Sequence, residues 1–212
     1  MTVLRIDASI QGPRSASSEL ADLVEAEWVA AQPEATIVRR HLGADPLPAD
    51  AWTQALGAAA TPEEQRTPSQ RQALALAANL ADELRTADAA ILALPLYNYG
   101  VSQHVKTWID VVMAGGDPSE RLLDGKPTIV VTTRGGAYGP GTPREGWDHN
   151  TAYLRRVVAD IWGADLTLVE REFTLVGVNP ALDDFAEAAS LMKKTAHQAA
   201  THAGRTLASR QA

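Results

Sequence analysis

Short apolar or β-branched runs alternate with helically spaced apolar positions along most of this chain, and that alternation limits what it can fold into. The strand candidates lie at residues 3–8, 36–42, 89–96, 128–133 and 165–170. The third, AAILALP, and the fourth, TIVVTT, are nearly all apolar or β-branched, as strands covered on both faces are. Between them, Leu20, Leu23, Val24 and Trp28 share one helical face. Val105, Trp108, Ile109 and Val112 repeat the spacing, as do Leu154, Val157, Val158 and Ile161. A long last helix is expected to carry Phe185, Ala189, Met192, Ala196 and Ala203 on one face, with Asp183 and Asp184 serving its N-terminus. Thr61-Pro62-Glu63-Glu64 reads as a helix start, with the helix behind it running to about Arg85. Residues 43–61 form the one long irregular connection, with a short helix around 49–56. Five strands alternating with helices predict an α/β fold with a parallel, doubly wound sheet in one domain, residues 1–212.

Composition narrows the function classes. The formal charge of −7 and the lack of a concentrated basic face argue against nucleic acid as a partner. No apolar run reaches the roughly 18 residues of a membrane helix. The opening MTVLRIDAS enters strand-like sequence directly, so no signal peptide and a cytoplasmic location are expected. With no cysteine there is neither a disulfide framework nor a thiol nucleophile nor a thiolate metal site. His197 and His202 are off the spacing of a helical metal pair, so no metal is expected.

In doubly wound sheets ligands bind beyond the carboxyl ends of the strands, where strand order reverses. The informative residues are therefore those after the first, third and fourth strands, which converge on one crevice if the order is 2-1-3-4-5. After the first come Ser9-Ile10-Gln11-Gly12-Pro13-Arg14-Ser15-Ala16-Ser17-Ser18 and then a helix. These hydroxyls, with the free N–H groups of a helix start, can surround a phosphate; equally, one serine caps the helix and the others are ordinary loop residues. After the third come Leu96-Tyr97-Asn98-Tyr99-Gly100, which offer rings and an amide to the edge of a planar heterocycle, or form a surface turn. After the fourth, Arg134-Gly135-Gly136-Ala137-Tyr138-Gly139 allow close backbone approach, to a ligand or within a tight turn. There is no Walker A sequence and no Gly-x-Gly-x-x-Gly after the first strand, which argues against an NTPase and against a dinucleotide fingerprint.

At these residues the chain resembles the FMN-dependent NADH-azoreductases, a flavodoxin-like family that also reduces quinones. The resemblance covers nearly the whole chain. It rests on Ser9 with the cluster from Ser15 to Ser18, on Pro95-Leu96-Tyr97-Asn98-Tyr99 before the Val105 helix, and on Thr133-Arg134-Gly135-Gly136. It implies a flavodoxin-like three-layer sandwich, a five-stranded parallel sheet of order 2-1-3-4-5 with helices on both faces. It also implies that Ser9, Ser15, Ala16 and Ser17 hold the FMN phosphate. Leu96, Tyr97, Asn98 and Tyr99 would lie against the isoalloxazine, with Thr133, Arg134, Gly135 and Gly136 at its pyrimidine edge. The chain departs from the family in a short bridge at residues 115–127 and in a long excursion at 137–150, which brings Tyr138, Trp147 and His149 to a rebuilt substrate wall.

The activity implied by the resemblance is NADH- or NADPH-dependent reduction of quinones or azo compounds. Two electrons would pass by hydride transfer through flavin N5 in a ping-pong cycle that needs no side-chain nucleophile. His149 is the candidate proton donor, while His104 reads as a surface or capping residue. The resemblance further implies a homodimer, in which Tyr138 or Trp147 covers the partner's site. The rivals are a flavodoxin-like one-electron carrier, a flavoenzyme for another acceptor, and FAD in place of FMN.

Overall fold

The structure, a computed structural model, describes residues 1–210. Five strands form one parallel sheet: β1 (Thr2–Asp7), β2 (Thr36–His41), β3 (Ala89–Ala93), β6 (Pro127–Thr133) and β7 (Asp165–Arg171). Their order is β2-β1-β3-β6-β7, which is the expected 2-1-3-4-5 once the two-stranded hairpin β4 (Leu96–Tyr97) and β5 (Gly100–Val101) is set aside. The order reverses at β1, so the ends of β1 and β3 splay their following loops to opposite sides and leave a crevice between them.

Each central strand is buried on both faces, and alternate residues belong to different layers. On one side Ala89, Ile91 and Ala93 of β3 meet Leu20, Val24 and Trp28 of α1 (Ala16–Ala31) and Ala196, Ala200 and Leu207 of α6 (Ala186–Ser209). On the other, Ala90, Leu92 and Leu94 meet α3 (Pro68–Thr86), α4 (Gln103–Gly115) and α5 (Thr151–Arg155), with α2 (Ala51–Ala59) outside them. Small residues set the close approaches. A Cβ on Gly204 of α6 would lie 2.6 Å from the Val24 carbonyl oxygen of α1. Among the described residues no helix is long and apolar enough to cross a membrane.

Several expectations are corrected. The third strand stops at Ala93 rather than running to Leu96, because Pro95 offers no N–H to a ladder and the chain turns into the hairpin. Thr61-Pro62-Glu63-Glu64 leads only into a 3₁₀ turn, Glu63–Gln65; α3 starts at Pro68 and is capped by Thr67, whose side chain and that of Gln70 cap each other's backbone in a capping box. The helix after α5 widens to π geometry over Arg156–Ile161, with the Trp162 N–H reaching the Val157 carbonyl. Along this wider stretch Ile161 is exposed, and Trp162 is buried and meets Trp108 edge to face at 5.4 Å. In α6 the buried face is Ala196, Ala200, Ala203, Gly204 and Leu207, whereas Phe185 precedes the helix and both it and Met192 are exposed. Asp183 and Asp184 belong to a 3₁₀ turn ahead of α6, and the side chain of Asn179 caps that turn. His104 lies inside the first turn of α4, and Ser102 caps it.

Candidate functional site

The hairpin at residues 96–101 is built against ordinary backbone preference. Tyr97 pairs with Gly100, so Asn98 and Tyr99 are the two turn residues, and both have positive φ, +48° and +69°. This is the two-residue turn whose twist matches antiparallel strands. Asparagine tolerates that conformation; tyrosine adopts it at a cost of about 1–2 kcal/mol. The turn leaves the Asn98 side chain exposed and without a partner among the described residues, and it brings the Tyr97 hydroxyl back to Ser9. Its phenol oxygen lies 3.3 Å from Ser9 Oγ and accepts from the Ile10 N–H at 3.2 Å.

This contact closes one end of a crevice of about 370 Å³ at the carboxyl edge of the sheet. All three expected loops supply its walls: Ser9 and Ala16 from the first, Leu96, Tyr97 and Asn98 from the second, and Thr133, Gly135 and Gly136 from the third. At the helix start, Ser15 Oγ accepts from the Ser18 N–H at 3.0 Å, and the Ser15 carbonyl accepts from Glu19. Of the four N–H groups that a helix start leaves open, those of Ala16 and Ser17 therefore stay free for an anion. Ser18 Oγ is buried without a partner. On the third loop, the carbonyls of Arg134, Gly135 and Gly136 accept from Thr174, Leu175 and Phe173, which fixes the loop and leaves the two glycine N–H groups unclaimed. A Cβ on Gly135 would sit 2.6 Å from Leu175 Cδ1, so any side chain there would have to displace the exposed Leu175 side chain.

The remaining expected residues lie elsewhere. Ser15 and Ser17 are buried and bonded to each other at 3.2 Å, so their hydroxyls shape the helix start from beneath. Tyr99 is exposed and meets Trp147 edge to face at 5.5 Å and Tyr138 at 6.4 Å. Tyr138 itself lines the crevice, whereas Trp147 and His149 do not. His149 is exposed, and its main-chain N–H donates to the Tyr99 carbonyl at 2.9 Å, so its visible role is to tie the excursion to the hairpin.

Arg134 points away from the crevice into a buried ion cluster. Its Nε donates to Asp148 Oδ2 at 2.6 Å, and its Nη2 donates to Glu170 at 2.5 Å and to Thr151 Oγ1 at 2.7 Å. Asp148 also accepts from the N–H groups of Asn150 and Thr151, and Asn150 Nδ2 donates to Thr132 Oγ1 at 2.9 Å. Arg134 thus pins the excursion to β6 and β7. Burial alone would raise Asp148, but the Thr151 hydrogen bonds and the Arg134 charge outweigh it and hold the carboxyl below the ordinary aspartate range. A carboxyl depressed in the folded state stabilises above its unfolded pKa, about 3.9, and loses that contribution as pH falls through the lower folded value. In thermal melts, Asp148→Asn should therefore flatten the acid-side fall in Tm below about pH 4. An acid limb identical to that of the parent chain would refute this role.

Sequence reasoning missed Gln11, Pro95, Thr174, Val178 and two arginines, Arg14 and Arg144, all of which line the crevice. It also missed Gly43, on which Ser9 rests: a Cβ there would be 2.4 Å from the Ser9 carbonyl oxygen. The arginines carry a signal that spacing does not show. Most arginines of this chain pair with carboxylates, among them Arg5, Arg40, Arg85, Arg134 and Arg205. Arg14 and Arg144 have no carboxylate partner among the described residues, and the crevice lining holds no Asp or Glu.

A family model described as "Flavodoxin-like fold" matches residues 1–199. A protein of Frankia alni named FMN-dependent NADH:quinone oxidoreductase is 41% identical over 190 residues, 87% of this chain and 90% of its own length. The fold is shared with an azoreductase from Bacillus anthracis str. Sterne, at TM-score 0.79 and 20% identity over 97% of this chain and 99% of that one. It is also shared with an FMN-dependent NADH-azoreductase from Bacillus anthracis str. Ames Ancestor in complex with FMN. There the TM-score is 0.74 and the identity 17%, over 99% of this chain and 98% of that one.

Proposed function

The chain belongs to the flavodoxin-like family whose model spans residues 1–199, and on that premise we propose that it is an FMN-dependent NADH:quinone oxidoreductase, reducing quinones, azo compounds or both as a single-domain enzyme. The observation that carries this reading is the crevice itself. Three loop ends meet there with free N–H groups, an unpartnered amide and uncompensated arginines, and no carboxylate opposes an anionic coenzyme. Its volume falls within the usual range for small-molecule sites, about 300–1,000 Å³.

The chain's own groups fit FMN. The phosphate would be held by the Ala16 and Ser17 N–H groups at the start of α1, where the helix dipole adds attraction, and by the Ser9 hydroxyl with Arg14 beside it. Tyr97 keeps Ser9 in place through its phenol. Leu96, Asn98, Gly135 and Gly136 line the crevice, where the Leu96 side chain and the Asn98 amide would lie along the flat ring and the two glycine N–H groups would meet its polar edge. When bound, FMN supplies two-electron redox chemistry, taking hydride from the nicotinamide and passing reducing equivalents to the acceptor. The protein orients both ligands and offers N–H donors to the negative charge that reduction brings.

Anaerobic titration with NADH of the FMN-loaded protein tests the reading. Stoichiometric bleaching of the flavin band, reversed by a quinone, is the expected result. A one-electron carrier would not be bleached directly by the nicotinamide.

Asn98 tests the site. Because its φ is positive, Asn98→Ala mixes backbone strain with loss of the amide; Asn98→Gly removes the amide and keeps the turn. Asn98→Gly should weaken FMN binding about tenfold, the equivalent of one amide hydrogen bond at roughly 1.4 kcal/mol. Unaltered FMN affinity would remove Asn98 from the site.

The homodimer and a cytoplasmic setting belong to the same proposal. Exposed apolar side chains support the dimer: Leu175 and Val178 on the crevice rim, with Phe185, Leu191 and Met192 at and beyond the start of α6. Sedimentation equilibrium at a mass of one chain would overturn it.

A further inference from the structure

Arg14 and Arg144 are cations without a carboxylate partner among the described residues, and both line the same carboxylate-free crevice, in a chain whose acidic residues outnumber its basic ones by 26 to 19. A guanidinium in such a chain finds a carboxylate easily, and most here have done so. One anion does not call for both. Arg14 directly precedes the serine cap of α1 and stands with the phosphate end of the crevice. Arg144 belongs to the far wall: Nη1 lies 3.0 Å from where a Cβ on Gly136 would be, and the guanidinium sits over the Tyr138 ring, 5.7 Å from its centroid.

The excursion holds Arg144 in that place while keeping nearby acid away from it. Thr142 turns back on Gly139, and the Trp147 N–H closes a turn on the Arg144 carbonyl. The adjacent carboxylate, Glu145, is engaged by the Gly141 N–H at 2.8 Å. Glu172 accepts from the Tyr138 N–H at 3.0 Å and stands in the Arg134 cluster. Stacking on Tyr138 stabilises an exposed guanidinium by only about 0.5–1 kcal/mol, and it leaves the N–H edges free to donate.

Resting on the proposed reading, we infer that Arg144 is a specificity-determining residue that binds an anionic group on the molecule occupying the crevice beside the coenzyme, next to a planar ring that lies against Tyr138. The enzyme then prefers planar acceptors carrying a sulfonate or carboxylate over neutral ones of the same shape. The pyrophosphate of NADH offers the same chemistry, and the kinetic arms below tell the two sources apart.

The probes are a naphthoquinone sulfonate, the unsubstituted naphthoquinone and NADH. In a two-stage cycle, kcat/KM for donor and acceptor are obtained separately. Arg144→Gln should lower the ratio of kcat/KM for the sulfonate to that for the neutral quinone about tenfold, as expected for one lost charge-assisted contact of roughly 1.4 kcal/mol. The sulfonate preference of the parent enzyme should weaken with added salt, and that of the variant should not. A ratio that is unchanged while kcat/KM for NADH falls about tenfold assigns the anion to the donor. If neither moves, the inference is overturned.

Equilibrium quenching of tryptophan fluorescence by the sulfonate and by the neutral quinone, with FMN present, repeats the comparison without turnover. A parent protein that binds the sulfonate through Arg144 but is not bleached by NADH would refute the oxidoreductase reading and leave this inference standing. A parent protein that is bleached normally and shows no sulfonate preference would do the reverse.

Discussion

Arg134→Ala should lower the free energy of unfolding by about 3–5 kcal/mol, the usual cost of removing one partner from a buried ion pair. Asp148 is the reason for so large a figure. It is nearly enclosed, it accepts from the N–H groups of Asn150 and Thr151 and from the Thr151 hydroxyl, and after the change it keeps its charge without a counter-ion. Glu170 is more exposed, so water compensates for most of its loss. Urea unfolding measures the difference as a shift in midpoint at constant slope. Arg134→Lys should fall between the two, because an ammonium keeps the charge but cannot reach Asp148, Glu170 and Thr151 as one planar fork. A cost near 1 kcal/mol, typical of an exposed pair, would show that the cluster does not hold the excursion.

Gly43→Ala should weaken FMN binding about tenfold or more and cost about 1–3 kcal/mol of stability. The added methyl would lie 2.4 Å from the Ser9 carbonyl oxygen and 2.8 Å from the carbonyl carbon. Both are backbone atoms and cannot swing aside as a flexible side chain does, so Ser9 itself must move. Ser9 is held on its other side, where its hydroxyl meets Tyr97 and accepts from the Gln11 N–H at 3.2 Å. The displacement therefore passes into the loop assigned to the phosphate. Fluorescence titration with FMN reads the affinity, and a thermal melt without FMN reads the stability. Full affinity alongside reduced stability would show that Ser9 moves without consequence for binding.

Much of the architecture was legible because it depends on local repetition. The unbroken apolar run AAILALP and the helical spacing of Leu20, Leu23, Val24 and Trp28 state how each segment buries its apolar surface, and burial on both faces implies a central parallel strand. The misreadings share a different cause. Thr61-Pro62 and Thr67-Pro68 are both plausible helix starts, but only the second has a Gln three residues on that completes the reciprocal cap. The face of α6 could not be read from Phe185 and Met192, since which residues are buried depends on where α1 lies, and Gly204 rather than a large apolar residue makes that contact.

The site divides in the same way. Pattern and resemblance in the chain determined that three loops would meet at the reversal of strand order, and the structure brings Ser9, Ala16, Leu96, Tyr97, Asn98, Thr133, Gly135 and Gly136 to one wall. Only the tertiary structure decided that Arg134 turns inward to Asp148 while Arg14 and Arg144 stay without a carboxylate among the described residues. Charge compensation is a matter of distance through space, and residues 134 and 148, or 144 and the acids it avoids, carry no mark in sequence of whether they meet. The linear chain specified which segments are strands, helices and loops; folding alone determined which charges were left for a ligand.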